Sequence, residues 1–295
     1  MNKKILYTWP SPAKINLFLH VTGKRLDGYH YIQTLFQFLD YSDTLKIIPN
    51  QTGKIKLFTK EKSLLNMKNT IIIAAKLLKE KAVLHKKISF DNLGAKIFLH
   101  KKIPIGSGLG GGSSNAATVL IVLNKLWNTQ FTLRELALFG LQIGADVPFF
   151  IMGKTSIGEG IGEILHPIKK REKWYLLVSP NIKILTKNIF LNFRLKTKQP
   201  KHSIKKLLQL DFTNDLQYIV EKKFIKIRKL ISILSIYSPS RITGTGSCIF
   251  SEFKNKQSAK KICSLLPKNT QGFISRSVNI SPLHNLIYKR RNIIY

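Results

Sequence analysis

The run Pro104-Ile105-Gly106-Ser107-Gly108-Leu109-Gly110-Gly111-Gly112-Ser113-Ser114-Asn115-Ala116-Ala117 constrains this chain more than any other segment. In it, five glycines and three serines join a strand-like stretch to an apolar helix. Glycine reaches positive φ without a Cβ penalty and lets backbone N–H groups close on an anion, while the following helix turns its positive end to the same point. This composition predicts a polyphosphate cradle. A flexible Gly/Ser linker would lack the helical spacing of Ala116, Ala117, Val119, Leu120, Leu123 and Leu126. A Walker A loop needs Lys and then Ser or Thr after its second glycine; Ser113-Ser114 follow Gly112 with no Lys in the loop, which excludes a P-loop NTPase. Gly106, Gly108 and Gly111 satisfy G-x-G-x-x-G, but the dinucleotide pattern wants an acid about 20 residues further on at a strand end. Glu135, the nearest candidate, sits in a helical pattern.

The 295 residues, 44% hydrophobic and 10% aromatic, suffice for one large core or two smaller ones. No leader pattern is present and no apolar run approaches the roughly 18 residues of a membrane span, so a soluble, cytoplasmic protein is expected. Cys248 and Cys263 are too few for a disulfide framework or a four-thiolate metal site. The 49 Lys and Arg against 15 Asp and Glu give a net charge of +34, which raises nucleic acid or an anionic surface as a partner. The basic residues are spread along the chain, with clusters at 196–206 and 289–291 and no basic arm. Lys, Ile and Asn are abundant together, as an AT-biased coding sequence produces. Incidental polyanion adhesion at low salt is therefore expected, without specific nucleic-acid binding.

Extended segments are predicted at Lys14–Val21, Gln33–Leu39, Thr44–Ile48, Lys54–Thr59 and Lys96–His100. Asn69 is a predicted N-cap for the helix carrying Ile72, Ile73, Leu77 and Leu78. Thr132-Leu133-Arg134-Glu135 is a capping box opening a helix through Leu141. Gly153–Gly162 reads as a crossing segment, Trp174–Val178 as a strand, Asn214–Leu234 as a helical run and Lys196–Lys206 as an exposed loop. The expected division is a first domain over 1–155 and a second over 156–295.

Three more segments carry chemistry that a plain core does not need. Lys14 and Asn16 stand two apart on a strand whose other face is apolar through Ile15 and Leu17, so both project to one side. Gly144-Ala145-Asp146-Val147-Pro148-Phe149-Phe150 puts a carboxylate among apolar neighbours, where it needs a partner, a capping role or a chemical one. Arg241-Ile242-Thr243-Gly244-Thr245-Gly246-Ser247 is a second glycine loop that can offer further backbone donors.

These segments, in this order, resemble the GHMP kinases. With Pro12-Ala13-Lys14-Ile15-Asn16-Leu17, Arg25-Leu26-Asp27-Gly28-Tyr29-His30 and Ala145-Asp146-Val147-Pro148, the resemblance narrows to the 4-diphosphocytidyl-2-C-methyl-D-erythritol kinases of the non-mevalonate isoprenoid pathway and covers essentially the whole chain. It implies a two-domain α+β fold with a ribosomal-protein-S5-like first domain and a ferredoxin-like second one. It implies Lys14 and Asp146 as the catalytic pair. ATP would be held by Pro104, Ile105, Gly106, Ser107, Gly108, Leu109, Gly110, Gly111, Gly112, Ser113 and Ser114. Mg²⁺ is expected with the ATP, Ser113 or Ser114 being near enough to touch it or its waters, and no metal-binding carboxylate can be matched. Tyr29 and Phe190 would stack on the cytosine ring, His30 would bond its edge, and Asn16 would meet the erythritol hydroxyls. No membrane partner is implied, and a monomer or homodimer is expected. A GHMP kinase for another alcohol, such as mevalonate or homoserine, would not need Tyr29, His30 and Phe190, and a basic nucleic-acid-binding protein would not need Lys14 and Asp146.

Overall fold

The computed structural model describes residues 8–66, 68–194, 200–268 and 270–291. Its frame is a pair of long antiparallel strands, β1 (Thr8–Lys24) and β2 (His30–Asn50). The sequence pattern predicts two strands where β2 is one, because polar residues interrupt its apolar runs. Those residues are held by neighbouring segments. Asp40 accepts the Ser275 hydroxyl at 2.5 Å and the Arg276 N–H at 2.8 Å, and Asp43 accepts the N–H groups of Lys102 and Ile103 at 2.7 and 2.8 Å. With their hydrogen bonds satisfied, they do not end the strand.

The chain continues through β3 (Ile55–Thr59), α1 (Thr70–Lys86), β4 (Gly94–His100), α2 (Gly111–Leu126), α3 (Leu133–Leu141) and α4 (Val147–Met152). Both predicted helix starts form: Asn69 accepts the Ile71 N–H at 2.9 Å, and Thr132 and Glu135 close a reciprocal capping box. The Gly153–Gly162 segment contains β5 (Ser156–Glu159), and β6 (Ile164–Pro167) pairs with it. Next come β7 (Trp174–Ser179), α5 (Thr186–Asn192) and α6 (Ile204–Leu207). Residues 196–199 of the expected loop lie outside the described residues, and the remainder leads into α6. The helical run of 214–234 divides at Phe224 into α7 (Gln217–Lys223) and α8 (Ile225–Ser235). The chain ends through β8 (Ser240–Ile242), β9 (Ile249–Phe253), α9 (Lys256–Cys263), β10 (Gln271–Val278) and α10 (Pro282–Arg291).

The main sheet path runs β3-β4-β2-β10-β7-β9-β8, with β1 and β5 also paired to β2. Late strand β10 thus bonds early strand β2, at Ser277 opposite Leu39 and Val278 opposite Phe38. Helices α1 to α4 cover the early strands through Ile71, Leu78, Val119, Leu120, Phe149 and Ile151. Helices α7 and α8 cover the later strands through Val220, Ile227, Leu230 and Leu234. A third apolar cluster, with Ile15, Leu17, Tyr175 and Phe250, lies behind the face that carries Lys14. Each fully buried aliphatic or phenyl side chain contributes about 1.5–3 kcal/mol, so this packing holds β1 firmly in place. Among the described residues no helix is long and apolar enough to cross a membrane, and Cys248 and Cys263 are free thiols.

Candidate active site

The pairing of β1 with β2 slips at three places, two of which, Pro12/Lys14 and Asn16/Leu19, bracket Lys14 and Asn16. A slip of this kind bends a strand and re-aims its side chains. Here it turns Lys14 and Asn16, both 3% exposed, into a cavity of about 860 Å³. Lys14 Nζ donates to Asn16 Oδ1 at 2.6 Å and lies 3.2 Å from Asp146 Oδ2. Asn16 is itself fixed: its Nδ2 donates to Thr34 Oγ1 and its N–H donates to Thr243 Oγ1, both at 2.9 Å.

Asp146 occupies the N-cap position of α4 but makes no capping hydrogen bond. Its carboxylate, 31% exposed, faces Lys14 and the cavity. The first turn of α4 is anchored by aromatic packing, with the Phe149 ring 4.3 Å from Phe38 and 4.9 Å from Phe36 between centroids. The Lys14 ammonium lies 5.4 Å from the centre of the Phe36 ring. Both members of the pair are therefore placed by one aromatic layer.

The glycine loop lines the cavity. Gly106, Gly108 and Gly110 have φ of 69°, 79° and 73°, an alternation that turns N–H groups toward a concave side. At Gly108 a Cβ would come within 2.4 Å of Thr243 O and 2.8 Å of Gly246 O, so the two glycine loops touch through bare backbone. At Gly110 it would strike the Phe150 ring at 2.7 Å. Leu109 and Ser114 point away from the cavity. Leu109 is fully buried and its carbonyl accepts the Lys14 N–H at 3.0 Å, while Ser114 Oγ accepts from Ser11 Oγ at 2.9 Å beneath the loop. Of the two serines, Ser113 lines the cavity.

The β1–β2 turn and α5 also line the cavity. Asp27 shapes the turn by accepting the Tyr29 N–H at 3.1 Å and pairing with Arg25 at 2.8 Å, which holds its carboxyl below the usual carboxylate range. Gly28 supplies the positive φ of 89°. Tyr29 is 58% exposed at the mouth, whereas His30 is buried and stacks on Phe190 with centroids 5.3 Å apart. Burial first, and Lys24 second, push the His30 imidazole below its ordinary value. Its Nδ1 is buried without a hydrogen-bond partner.

Residues 69–154 match the GHMP kinases N terminal domain. The chain is 65% identical over 288 residues, 97% of its length and 98% of the relative's, to the 4-diphosphocytidyl-2-C-methyl-D-erythritol kinase of Buchnera aphidicola from Schizaphis graminum. It is 63% identical over 286 residues to the enzyme of that name from the Acyrthosiphon pisum strain, covering 97% of this chain and 100% of the relative. The chain belongs to this kinase family. A crystal structure of 4-(cytidine 5'-diphospho)-2C-methyl-D-erythritol kinase superposes with a TM-score of 0.78 at 26% identity, over 92% of this chain and 98% of that one. The Methanococcus jannaschii mevalonate kinase shares the fold alone, with a TM-score of 0.65 at 18% identity over 94% of this chain and 100% of that one. The mixed α+β architecture is thus the GHMP kinase fold.

In this member of the kinase family, several cavity residues escape sequence reasoning. Lys101 is one of 49 basic residues and has no distinguishing context. Asn69 and Thr70 line the cavity from the start of α1, although Asn69 reads only as a cap. Thr186 and Thr245 also line the cavity and meet through their hydroxyls at 3.1 Å. Asp43, buried behind the cavity and bonded to Lys101, had a signal: it is one of only 15 acidic residues and lies between apolar strand runs.

Proposed function

We propose that this protein transfers the γ-phosphoryl group of ATP to the 2-hydroxyl of 4-diphosphocytidyl-2-C-methyl-D-erythritol, a step of isoprenoid precursor synthesis in the cytoplasm. The observation that carries the reading is the Lys14–Asp146 contact of 3.2 Å in one cavity with the glycine loop and the His30–Phe190 pocket. The glycine loop and the start of α2 would hold the ATP phosphates on backbone N–H groups. Asp146 accepts the hydroxyl proton as the alcohol oxygen bonds the γ-phosphorus, the γ-phosphorus to bridging-oxygen bond breaks, and ADP leaves. Lys14 pairs with the Asp146 carboxylate and offsets negative charge developing on the phosphoryl oxygens. Asn16 orients the Lys14 ammonium and would meet the acceptor's hydroxyls.

The phosphate cradle suits Mg²⁺ carried in by the nucleotide. Among the described residues no group of three or more His, Cys, Asp and Glu side chains could hold an ion alone, and Mg²⁺ is commonly held by substrate phosphates and water with few protein ligands. Ser113 and Ser107 both line the cavity, but the Ser107 hydroxyl is engaged with the Pro104 carbonyl at 2.8 Å, which leaves Ser113 as the loop hydroxyl for the ion or its waters. When bound, Mg²⁺ supplies charge neutralisation on the phosphates.

The cytosine ring would enter between Tyr29 and Phe190, with His30 bonding its edge; every base has a π face for such stacking. We read residues 1–155 and 156–295 as two units that share the site, the first giving the catalytic pair and phosphate loop and the second Phe190 and Thr243 to Gly246. The test is ADP release with Mg²⁺ in the presence of 4-diphosphocytidyl-2-C-methyl-D-erythritol, mevalonate or homoserine in turn. Release that depends on the cytidyl compound supports the reading, and release with another alcohol or with none of them overturns it.

A further inference from the structure

Beneath the glycine loop lies a second charged cluster that the phosphoryl-transfer step does not use. Asp43 is 0% exposed, on β2. It accepts the backbone N–H groups of Lys102 and Ile103, Asn115 Nδ2 from α2 at 3.0 Å, and Lys101 Nζ at 2.5 Å. Asn115 Nδ2 also reaches Ser11 Oγ at 2.8 Å, so one carboxylate ties β2, the end of β4 and α2 together, and β1 through Asn115.

Two backbone N–H groups and an amide already satisfy three of the roughly four lone-pair sites on a carboxylate. A lysine is not required as the fourth donor, yet one is drawn in, and its place is informative. A Cβ on Gly111 would lie 2.7 Å from Lys101 Nζ, so the ammonium rests against the first turn of α2. Lys101 lines the cavity there. The first helical bond of α2 runs from the Ser114 N–H to the Gly110 carbonyl, which leaves the N–H groups before Ser114 for a ligand.

We propose that Asp43 is a positioning residue for nucleotide binding: it holds the Lys101 ammonium at the start of α2, where Lys101 contacts a phosphate of the bound nucleotide. The proposal rests on the kinase reading but not on the identity of the alcohol. Lys101 adds a fixed point charge to a cradle made otherwise of backbone dipoles. Asp43 limits where that charge can go.

The experiment is calorimetric titration of Mg-ADP into the wild-type protein and into Lys101→Met, Lys101→Arg, Asp43→Asn and the double variant Asp43→Asn/Lys101→Met, each followed also by thermal melting. Lys101→Met is expected to weaken ADP binding at least tenfold and Lys101→Arg to recover part of the loss. Asp43→Asn should weaken binding in the same direction. Because Asp43 acts through Lys101, the double variant should bind no worse than Lys101→Met alone. ADP binding by Lys101→Met within twofold of wild type would show that Lys101 is only a counter-ion and overturn the proposal. Additive losses would overturn the positioning role of Asp43. If Asp43→Asn does not fold, Asp43→Glu, which keeps the charge and moves it by one methylene, takes its place in the cycle. A wild-type protein that binds ADP but ignores the cytidyl substrate would sink the acceptor assignment and leave this inference standing; one that binds no ADP would sink both.

Discussion

Lys14 and Asp146 meet at 3.2 Å although one lies on the first strand and the other at the head of α4, and neither is held by the other's segment alone. Asn16 steadies the ammonium at 2.6 Å, and the packing of Phe149 on Phe36 and Phe38 steadies the helix that starts at Asp146. The carboxylate keeps an exposed edge toward the cavity, as a proton acceptor requires.

Asp146→Asn should keep this geometry and remove the base. General-base catalysis is worth about 10²–10⁴-fold, so kcat is expected to fall by that order while Mg-ADP affinity changes little. Steady-state kinetics beside calorimetric titration check both halves, and turnover near the wild-type rate would exclude Asp146 as the base.

Gly108 and Gly112 should respond oppositely to alanine. At Gly108 the new Cβ meets two carbonyl oxygens at 2.4 and 2.8 Å from a φ of 79°, and backbone in that region costs a non-glycine residue about 1–3 kcal/mol before any clash. At Gly112, in the first turn of α2, the nearest atom is Thr70 Oγ1 at 3.7 Å, and alanine gains about 0.5–1 kcal/mol over glycine in a helix. Thermal melting should show Gly108→Ala lowered by several degrees and Gly112→Ala unchanged or raised. A Gly108→Ala protein as stable as wild type would contradict the close contact of the two loops.

Phe190 should act on the acceptor and not on ATP. Base stacking on an aromatic ring is worth about 1–3 kcal/mol, so Phe190→Ala is expected to raise KM for the cytidyl substrate by roughly 5- to 150-fold. KM for ATP should stay within about twofold, since Phe190 packs on His30 and is no part of the glycine loop. Equal rises in both constants would indicate that Phe190 serves the fold instead.

His30 gives the site a pH limit. Burial disfavours its imidazolium, so the unfolded chain takes up that proton more readily and stability declines as pH falls below the ordinary histidine value of about 6.5. His284 is depressed by burial as well and adds to the same decline. Substrate affinity should follow where His30 bonds the cytosine edge, because protonation turns the ring's acceptor nitrogen into a donor. KM for the cytidyl substrate is expected to stay flat down through pH 6.5 and to rise only below the lowered value of the folded ring, and His30→Gln should flatten that acid limb. An unchanged acid limb in that variant would assign the effect to another group.

Much of the site could be read locally because its chemistry is local. Three alternating glycines before a helix, a Lys and an Asn two apart on a strand and a capping box are patterns a few residues long, and each forms here. The Asp27-Gly28-Tyr29-His30 block is likewise a complete turn with its own hydrogen bonds. β2 was harder to read, because what keeps it one strand is donated by Arg276 and Ser275 from far along the chain, and by Lys102 and Ile103. Asp43 and Lys101 were missed for a related reason: an ion pair between residues 58 positions apart leaves no spacing rule in either segment.

Local sequence accounts for the glycine turns, the helix caps and the kinds of chemistry the segments carry, because backbone conformation at glycine, helix capping and strand alternation depend on residues within a few positions of one another. Which of these groups share a cavity, that Leu109 and Ser114 turn into the core while Ser113 faces the cavity, and that Phe190 rests on His30 are settled by tertiary packing. Those outcomes depend on strand register and on close packing between distant segments, and such contacts are fixed only when the whole core closes.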